Sequence, residues 1–208
     1  LLQIFAYIKK NPKISIYFDP RLPTIDYTVF NTNSEDFKEY YRDAMEEEPP
    51  RMPKPRGRMV VTTAFVDASH GANKVTGRSQ SGHIIFVNKA PILWFSKKQN
   101  TIETSAFSSE FLALKSCMES IISLRYKLRM FGVPFKGPTE VFCDNNSVVT
   151  NVSKVESKLN KKHNALAYHT CRWAVAAGIM RLAWIKTKDN IADAMTKVLS
   201  VEDRERLF

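Results

Sequence analysis

The sequence predicts a layered α/β protein. Strand-like and helical runs alternate from Met59 onward, two of the strand-like runs end directly on an aspartate, and one long helical pattern separates the third strand from the fourth. VVTTAFV (60–66) is rich in β-branched residues and runs straight into Asp67, which makes it the first strand. HIIFV (83–87) and PILWF (91–95) read as a hairpin turning at Asn88 and Lys89. SAFSSEFLALKSCMESIISLRYKLRMF then places apolar residues at 107, 111, 114, 118, 121 and 128, a helical spacing that stops at Gly132 and Pro134. TEVFC (139–143) is the fourth strand and runs into Asp144, after which a short helix follows. A further helix spans roughly 163 to 177 before Gly178, RLAWI (181–185) is the fifth strand, and a last helix opens at Asn190 with Asp193 in its first turn.

The chain ahead of Met59 is organised differently. LLQIFAYIKK reads as a short amphipathic helix stopped by Asn11 and Pro12, and KISIYF (13–18) as a strand; together they are too little for a domain. Residues 34–48 hold seven acids and two bases and lead into PPRMPKPRGR, whose prolines at 49, 50, 53 and 55 forbid a helix or a central strand. The expected division is a leading segment 1–33, a tether 34–58 whose acids form a solvated face, a domain 59–200 and a tail 201–208. Because the first residue is Leu, the chain reads as a piece of something longer.

With 208 residues, 44% hydrophobic and 25% charged, the chain can bury one sizeable core plus an appendage, which excludes disorder throughout. No apolar run approaches the ~18 residues of a membrane span, and the N-terminus turns charged too soon for a secretory leader, so a soluble, intracellular, non-secreted protein without a membrane partner is expected. Cys117, Cys143 and Cys171 are odd in number and far apart, which argues for reduced, buried thiols against a disulfide framework or zinc cluster. The net charge of +10 is uneven: residues 1–58 carry 10 Lys and Arg against 9 Asp and Glu, residues 59–208 carry 21 against 12. Such an excess suits a polyanionic partner.

Against this basic background four acids stand out. Asp67 and Asp144 end strands, Asp193 begins a helix, and Glu110 lies about 60° from Phe107 on a helical wheel, bordering the face turned toward the sheet. If the first and fourth strands are parallel neighbours, their carboxyl ends open together at a switch point of the sheet, where α/β proteins place ligands. Carboxylates gathered there repel one another unless hard divalent cations neutralise them. Mg²⁺ suits oxygen-only ligands, and two such ions ~3.5 to 4 Å apart can hold both oxygens of a phosphoryl transfer.

VDASHGAN, RSQSGHIIFVNKAPILWFSKKQNTI, SSEFLALK, VFCDNNSV, KKHNALAYH and IKTKDNIADAMTK occur in the order found in the ribonuclease H domain of copia-type retrotransposon polyproteins, and the chain resembles that family over residues 59–200. Residues 1–18 resemble the segment that closes the preceding reverse transcriptase. The resemblance implies a ribonuclease H-like fold with a five-stranded mixed sheet flanked by helices. It implies hydrolysis of the RNA strand of RNA/DNA hybrids, leaving 5′-phosphate and 3′-hydroxyl ends. Asp67, Glu110, Asp144 and Asp193 would be the catalytic acids and metal ligands, with two Mg²⁺ ions, or Mn²⁺ as a substitute, and no small-molecule cofactor. The partners it implies are the hybrid and the reverse transcriptase of the same polyprotein, in the cytoplasm or a virus-like particle. Ser108 stands where the family commonly has a further Glu, and Ala165 and Ala167 replace an Asp and an Arg.

Lesser candidates surround this set. Ser81, Gly82, Asn145 and Asn146 border the expected cleft and could donate to phosphate or to the RNA 2′-hydroxyl. Lys154, Lys158, Lys161 and Lys162 could contact DNA phosphates, and His163 and His169 could approach substrate, although a structural or solvated role is favoured for the histidines. Trp94, Trp173 and Trp184 are expected in the core. The rival to an active nuclease is a catalytically inactive module that keeps the fold and grips nucleic acid. An integrase-type core would put its Glu after the second aspartate, whereas Glu110 precedes Asp144.

Overall fold

The computed structural model describes residues 2–13, 15–30, 34–160 and 162–207. Its elements in chain order are α1 (Leu2–Lys10), β1 (Thr62–Ser69), β2 (Gln80–Val87), β3 (Ala90–Lys98), α2 (Ala106–Met130), β4 (Thr139–Cys143), α3 (Asn146–Ser153), α4 (Ala165–Ala176), β5 (Met180–Trp184), α5 (Asp193–Thr196) and α6 (Val201–Leu207). The sheet order is β3-β2-β1-β4-β5, with antiparallel pairing from β1 to β3 and parallel pairing of β1 with β4 and of β4 with β5. This is the five-stranded mixed sheet flanked by helices that the resemblance implied. No described helix is long and apolar enough to cross a membrane.

Local chemistry explains the elements. Asn88 takes a left-handed φ of 56°, so the two-residue turn at Asn88 and Lys89 closes the hairpin where the sequence placed it. Ser105 caps α2 by accepting from the Ser108 amide, and Gly132, at φ 71°, ends its last turn. Alternation along β1 sends Ala64, Val66 and Ala68 to the helical side, where Phe111, Leu114, Met118 and Ile121 of α2 bury them with Val141, Cys143 and Leu182. All three cysteines are free and buried, as expected. Phe65 and Phe142 face the other way and stack at 5.0 Å, with Phe30 edge-on to Phe142 at 5.4 Å.

Three expectations fail. KISIYF forms no strand among its described residues; Ile16, Tyr17 and Phe18 are exposed, and no strand of the sheet lies beside them to supply hydrogen bonds. The helix expected to open at Asn190 is the single turn α5, because Asn190 spends its side chain on the Val66 carbonyl (2.9 Å) and on the Ala192 amide (3.1 Å) before helical geometry begins, and the last helix is α6 in the expected tail. Trp94 and Trp184 are 52% and 47% exposed, since β3 and β5 are the edge strands and both rings point outward; only Trp173 packs against the core.

Candidate active site

Parallel pairing aligns the carboxyl ends of β1 and β4, so the chain delivers Asp67 and Asp144 to one rim of the sheet. Glu110 reaches the same rim from the first turn and a half of α2, buried at its base. Asp193 arrives as the first residue of α5, which is held under β2 by Gly82. A Cβ there would stand 2.5 Å from the Met195 Cβ and 2.7 Å from the Thr196 Cγ2, so the strand lacks a side chain where the turn of helix packs.

The four acids converge as two adjoining sets. Ligand atoms of Asp67, Asp144 and Asp193 lie within 4.8 Å of one another, as do those of Glu110, Cys143 and Asp144, so Asp144 joins both. Burial raises the Asp67 carboxyl to about 6, and the Asp193 and Asp144 charges add to the rise, against the hydrogen bond from Thr196 and the attraction of Lys197. Glu110 is pushed up to about 9, by burial first and then by Asp67 and Asp144. Burial also drives the Cys143 thiol well above its ordinary range, so sulfur contributes no thiolate.

Among the described residues, Glu110 Oε2 and Asp144 Oδ1 are buried and accept no hydrogen bond. Acceptors orphaned in that way, in a pocket of carboxylates that oppose each other's ionisation, fit a hard divalent cation held by oxygen. The protein supplies one cation of its own: Lys197 Nζ lies 2.8 Å from Asp193 Oδ1 and 3.6 Å from Asp67 Oδ2. Thr196 donates its hydroxyl to Asp67 Oδ2. A four-residue helix has little dipole, so the charge facing Asp193 is the Lys197 ammonium.

Sequence reasoning missed Thr196 and Lys197, although they close the TKDNIADAMTK block. Their spacing of three and four from Asp193 was the available signal. It also missed His70, whose Nδ1 is 2.8 Å from Ser109 Oγ, itself 2.9 Å from the buried Ser79 hydroxyl. Trp184, exposed beside the rim, donates its indole N–H to the Asp144 carbonyl at 2.9 Å.

The lesser candidates divide. Ser81 is buried and accepts from Gln99 Nε2 (2.9 Å), and Asn145 caps α3 by accepting from the Ser147 and Val148 amides, while Asn146 is exposed next to Asp144. His163 is exposed with Nε2 3.2 Å from Ser108 Oγ, a hydroxyl that also accepts from the buried Asn164. His169 meets the Tyr41 hydroxyl through Nδ1 at 2.9 Å. Lys154, Lys158 and Lys162 are exposed, and Lys161 lies outside the described residues.

Fold and rim together define a ribonuclease H-like α/β domain. Solved structures of similar fold include a ribonuclease H domain from Mycobacterium tuberculosis fused to maltose-binding protein (TM-score 0.50, 15% identity, 66% of this chain and 91% of that one). Others are ribonuclease H1 of Halobacterium salinarum (0.50, 14%, 65% and 93%) and LC11 ribonuclease H1 isolated from compost (0.52, 19%, 66% and 94%). No family model matches.

The sequence relatives are copia-type Pol polyproteins. The chain is 28% identical over 145 residues to the retrovirus-related Pol polyprotein from transposon RE1 of Arabidopsis thaliana, covering 70% of this chain and 10% of the relative. It is 28% identical over 152 residues to the transposon Ty1-JR2 Gag-Pol polyprotein of Saccharomyces cerevisiae, covering 72% and 8%. The chain thus spans about a tenth of the curated relatives it matches.

Proposed function

We propose that this domain hydrolyses the RNA strand of RNA/DNA hybrids endonucleolytically, as the ribonuclease H part of a retrotransposon reverse transcriptase. The observation that carries the reading is the pair of adjoining acidic sets joined at Asp144, at the carboxyl end of two parallel strands. It is supported by the ribonuclease H fold and by relatives that are retroelement polyproteins. LC11 ribonuclease H1 has been solved in complex with an RNA/DNA hybrid, which makes the hybrid the natural substrate class to test.

Asp67, Glu110, Asp144 and Asp193 would hold two Mg²⁺ ions, which when bound supply water activation and charge neutralisation at the scissile phosphate. The chain's own residues prepare the site. Lys197 partly neutralises Asp67 and Asp193, and the Thr196 hydroxyl fixes the Asp67 carboxylate. The Ala68 amide donates to Glu110, and the indole of Trp184 ties down the backbone of Asp144. The other proposed partner is the reverse transcriptase portion of the same polyprotein, with residues 1–33 as its end.

The test is cleavage of a labelled RNA/DNA hybrid with Mg²⁺ and with EDTA, beside an all-DNA duplex and the Asp144→Asn variant. RNA-strand cuts that need both metal and Asp144 establish the activity. Binding without any cut at high protein concentration identifies an inactive grip on nucleic acid.

A further inference from the structure

The acidic segment 34–48 was expected to be a solvated tether, yet it carries an anchored face. Its backbone coils into successive turns: Tyr40 and Tyr41 amides donate to the Phe37 carbonyl and the Ala44 amide to that of Tyr41. This brings Phe37, Tyr41 and Ala44 onto one side, the i, i+4, i+7 pattern of a peptide that seats in a groove. Phe37 is fully buried in the domain core, and Tyr41 and Ala44 pack against it.

The receiving surface is specific. The Arg172 guanidinium lies between the Phe37 ring (4.9 Å) and the Tyr168 ring (4.8 Å). It is held in place by the carbonyls of Asn151, Lys154 and Val155 at 2.7 to 2.9 Å. At the far end of the segment, Glu46 makes a bidentate pair with Arg125 of α2 (2.7 and 2.9 Å) and also meets Arg129. Charge complements charge, with an acidic segment on buried or half-buried arginines.

We infer that the face formed by α2 and α4 is a binding groove for an acidic, amphipathic peptide, and that residues 34–48 of this chain are its resident ligand. The segment then fixes what precedes it against the domain, instead of letting it swing on a spacer. This goes beyond the nuclease reading and stands on a different part of the molecule.

The experiment uses the full chain with protease sites placed at residues 31–33 and in the proline-rich stretch 51–57, so that cutting frees residues 34–48 inside an otherwise folded protein. Retention is followed by gel filtration, the body by circular dichroism, and competition by a synthetic peptide of residues 34–48. The expected result is that the excised segment co-elutes, is displaced by the peptide, and is held at least tenfold more weakly in Phe37→Ala and in Glu46→Gln. Glu46 lies outside the apolar core cluster to which Phe37 belongs, so Glu46→Gln stands as the readout if Phe37→Ala fails to fold. Immediate loss of the unmutated segment from a body with unchanged dichroism overturns the proposal, because the contacts then hold nothing. Collapse of the body as the segment leaves overturns it too, since the segment is then an indivisible part of the core.

Discussion

At the scale of single residues, the site is a balance of opposed charges. Replacing Asp144 by Asn removes the carboxylate common to both acidic sets while keeping its size. Hybrid cleavage is expected to fall by more than about a hundredfold, which is roughly 2.7 kcal/mol of barrier. In EDTA the same variant should melt no lower than the unmutated chain, because a repulsion has gone; a lower melting temperature would show that Asp144 is structural. Lys197→Ala has the opposite sign, leaving Asp67 and Asp193 without their ammonium. In EDTA it should cost about 1 kcal/mol, a deficit that shrinks as Mg²⁺ is titrated in, read by urea unfolding at several metal concentrations.

His83 reports acid sensitivity. It is buried in β2, stacked on Phe95 at 4.7 Å with Nε2 3.0 Å from Ser120 Oγ, and burial holds its pKa down at about 4. Between about 4 and the ordinary value of 6.5 the unfolded chain binds the proton and the folded chain does not. Stability is therefore complete above pH 6.5 and declines as pH falls through that window, by on the order of 3 kcal/mol. Glu110 and Asp67 are shifted upward and gain stability as pH falls, so the quantity to measure is the difference between unmutated protein and His83→Leu at pH 7 and pH 4.5. A difference independent of pH would contradict the assignment.

At the scale of elements, what the sequence disclosed follows a simple division. Local pattern located the five strands and α2, and because Asp67 and Asp144 lie at the ends of runs with strong β character, their place at strand ends was readable in the sequence, whereas their meeting depended on β1 and β4 being parallel neighbours. Position within the sheet was not readable. Trp94 and Trp184 are apolar in context, yet edge strands turn one face outward, and strand order comes from tertiary pairing. The shortness of α5 was hidden for a similar reason: Asn190 resembles a helix cap until its partner proves to be Val66, 124 residues away. The charge composition of residues 34–48 concealed the few side chains that anchor them.

Gly82 couples two elements. Gly82→Ala would drive a methyl into Met195 and Thr196, pushing α5 off β2 and with it Asp193, Thr196 and Lys197. The expected cost is about 1 to 3 kcal/mol in thermal or urea unfolding, with cleavage falling further than stability alone explains. Unfolding unchanged within about 0.5 kcal/mol would mean that α5 is free to shift.

At the scale of the whole molecule, the net charge of +10 governs the encounter with a polyanion. Hybrid affinity, measured by fluorescence anisotropy with the Asp144→Asn protein, should drop at least about tenfold between 50 and 200 mM salt, since each phosphate neutralised adds nearly one to the log–log slope. A flat salt profile would mean that the lysines only solubilise the surface.

The acids that meet at the rim also set a timetable. Asp67 leaves the ribosome 129 residues ahead of Thr196, which steadies it, and the parallel pairing of β1 with β4 must wait for the loop and helix between them. At roughly 5 to 20 residues per second, that separation is many seconds of synthesis. Throughout that interval the emerging polypeptide holds only a fragment of its acidic rim, so the topology itself lets the four carboxylates meet only once the turn of helix at Asp193–Thr196 has been made.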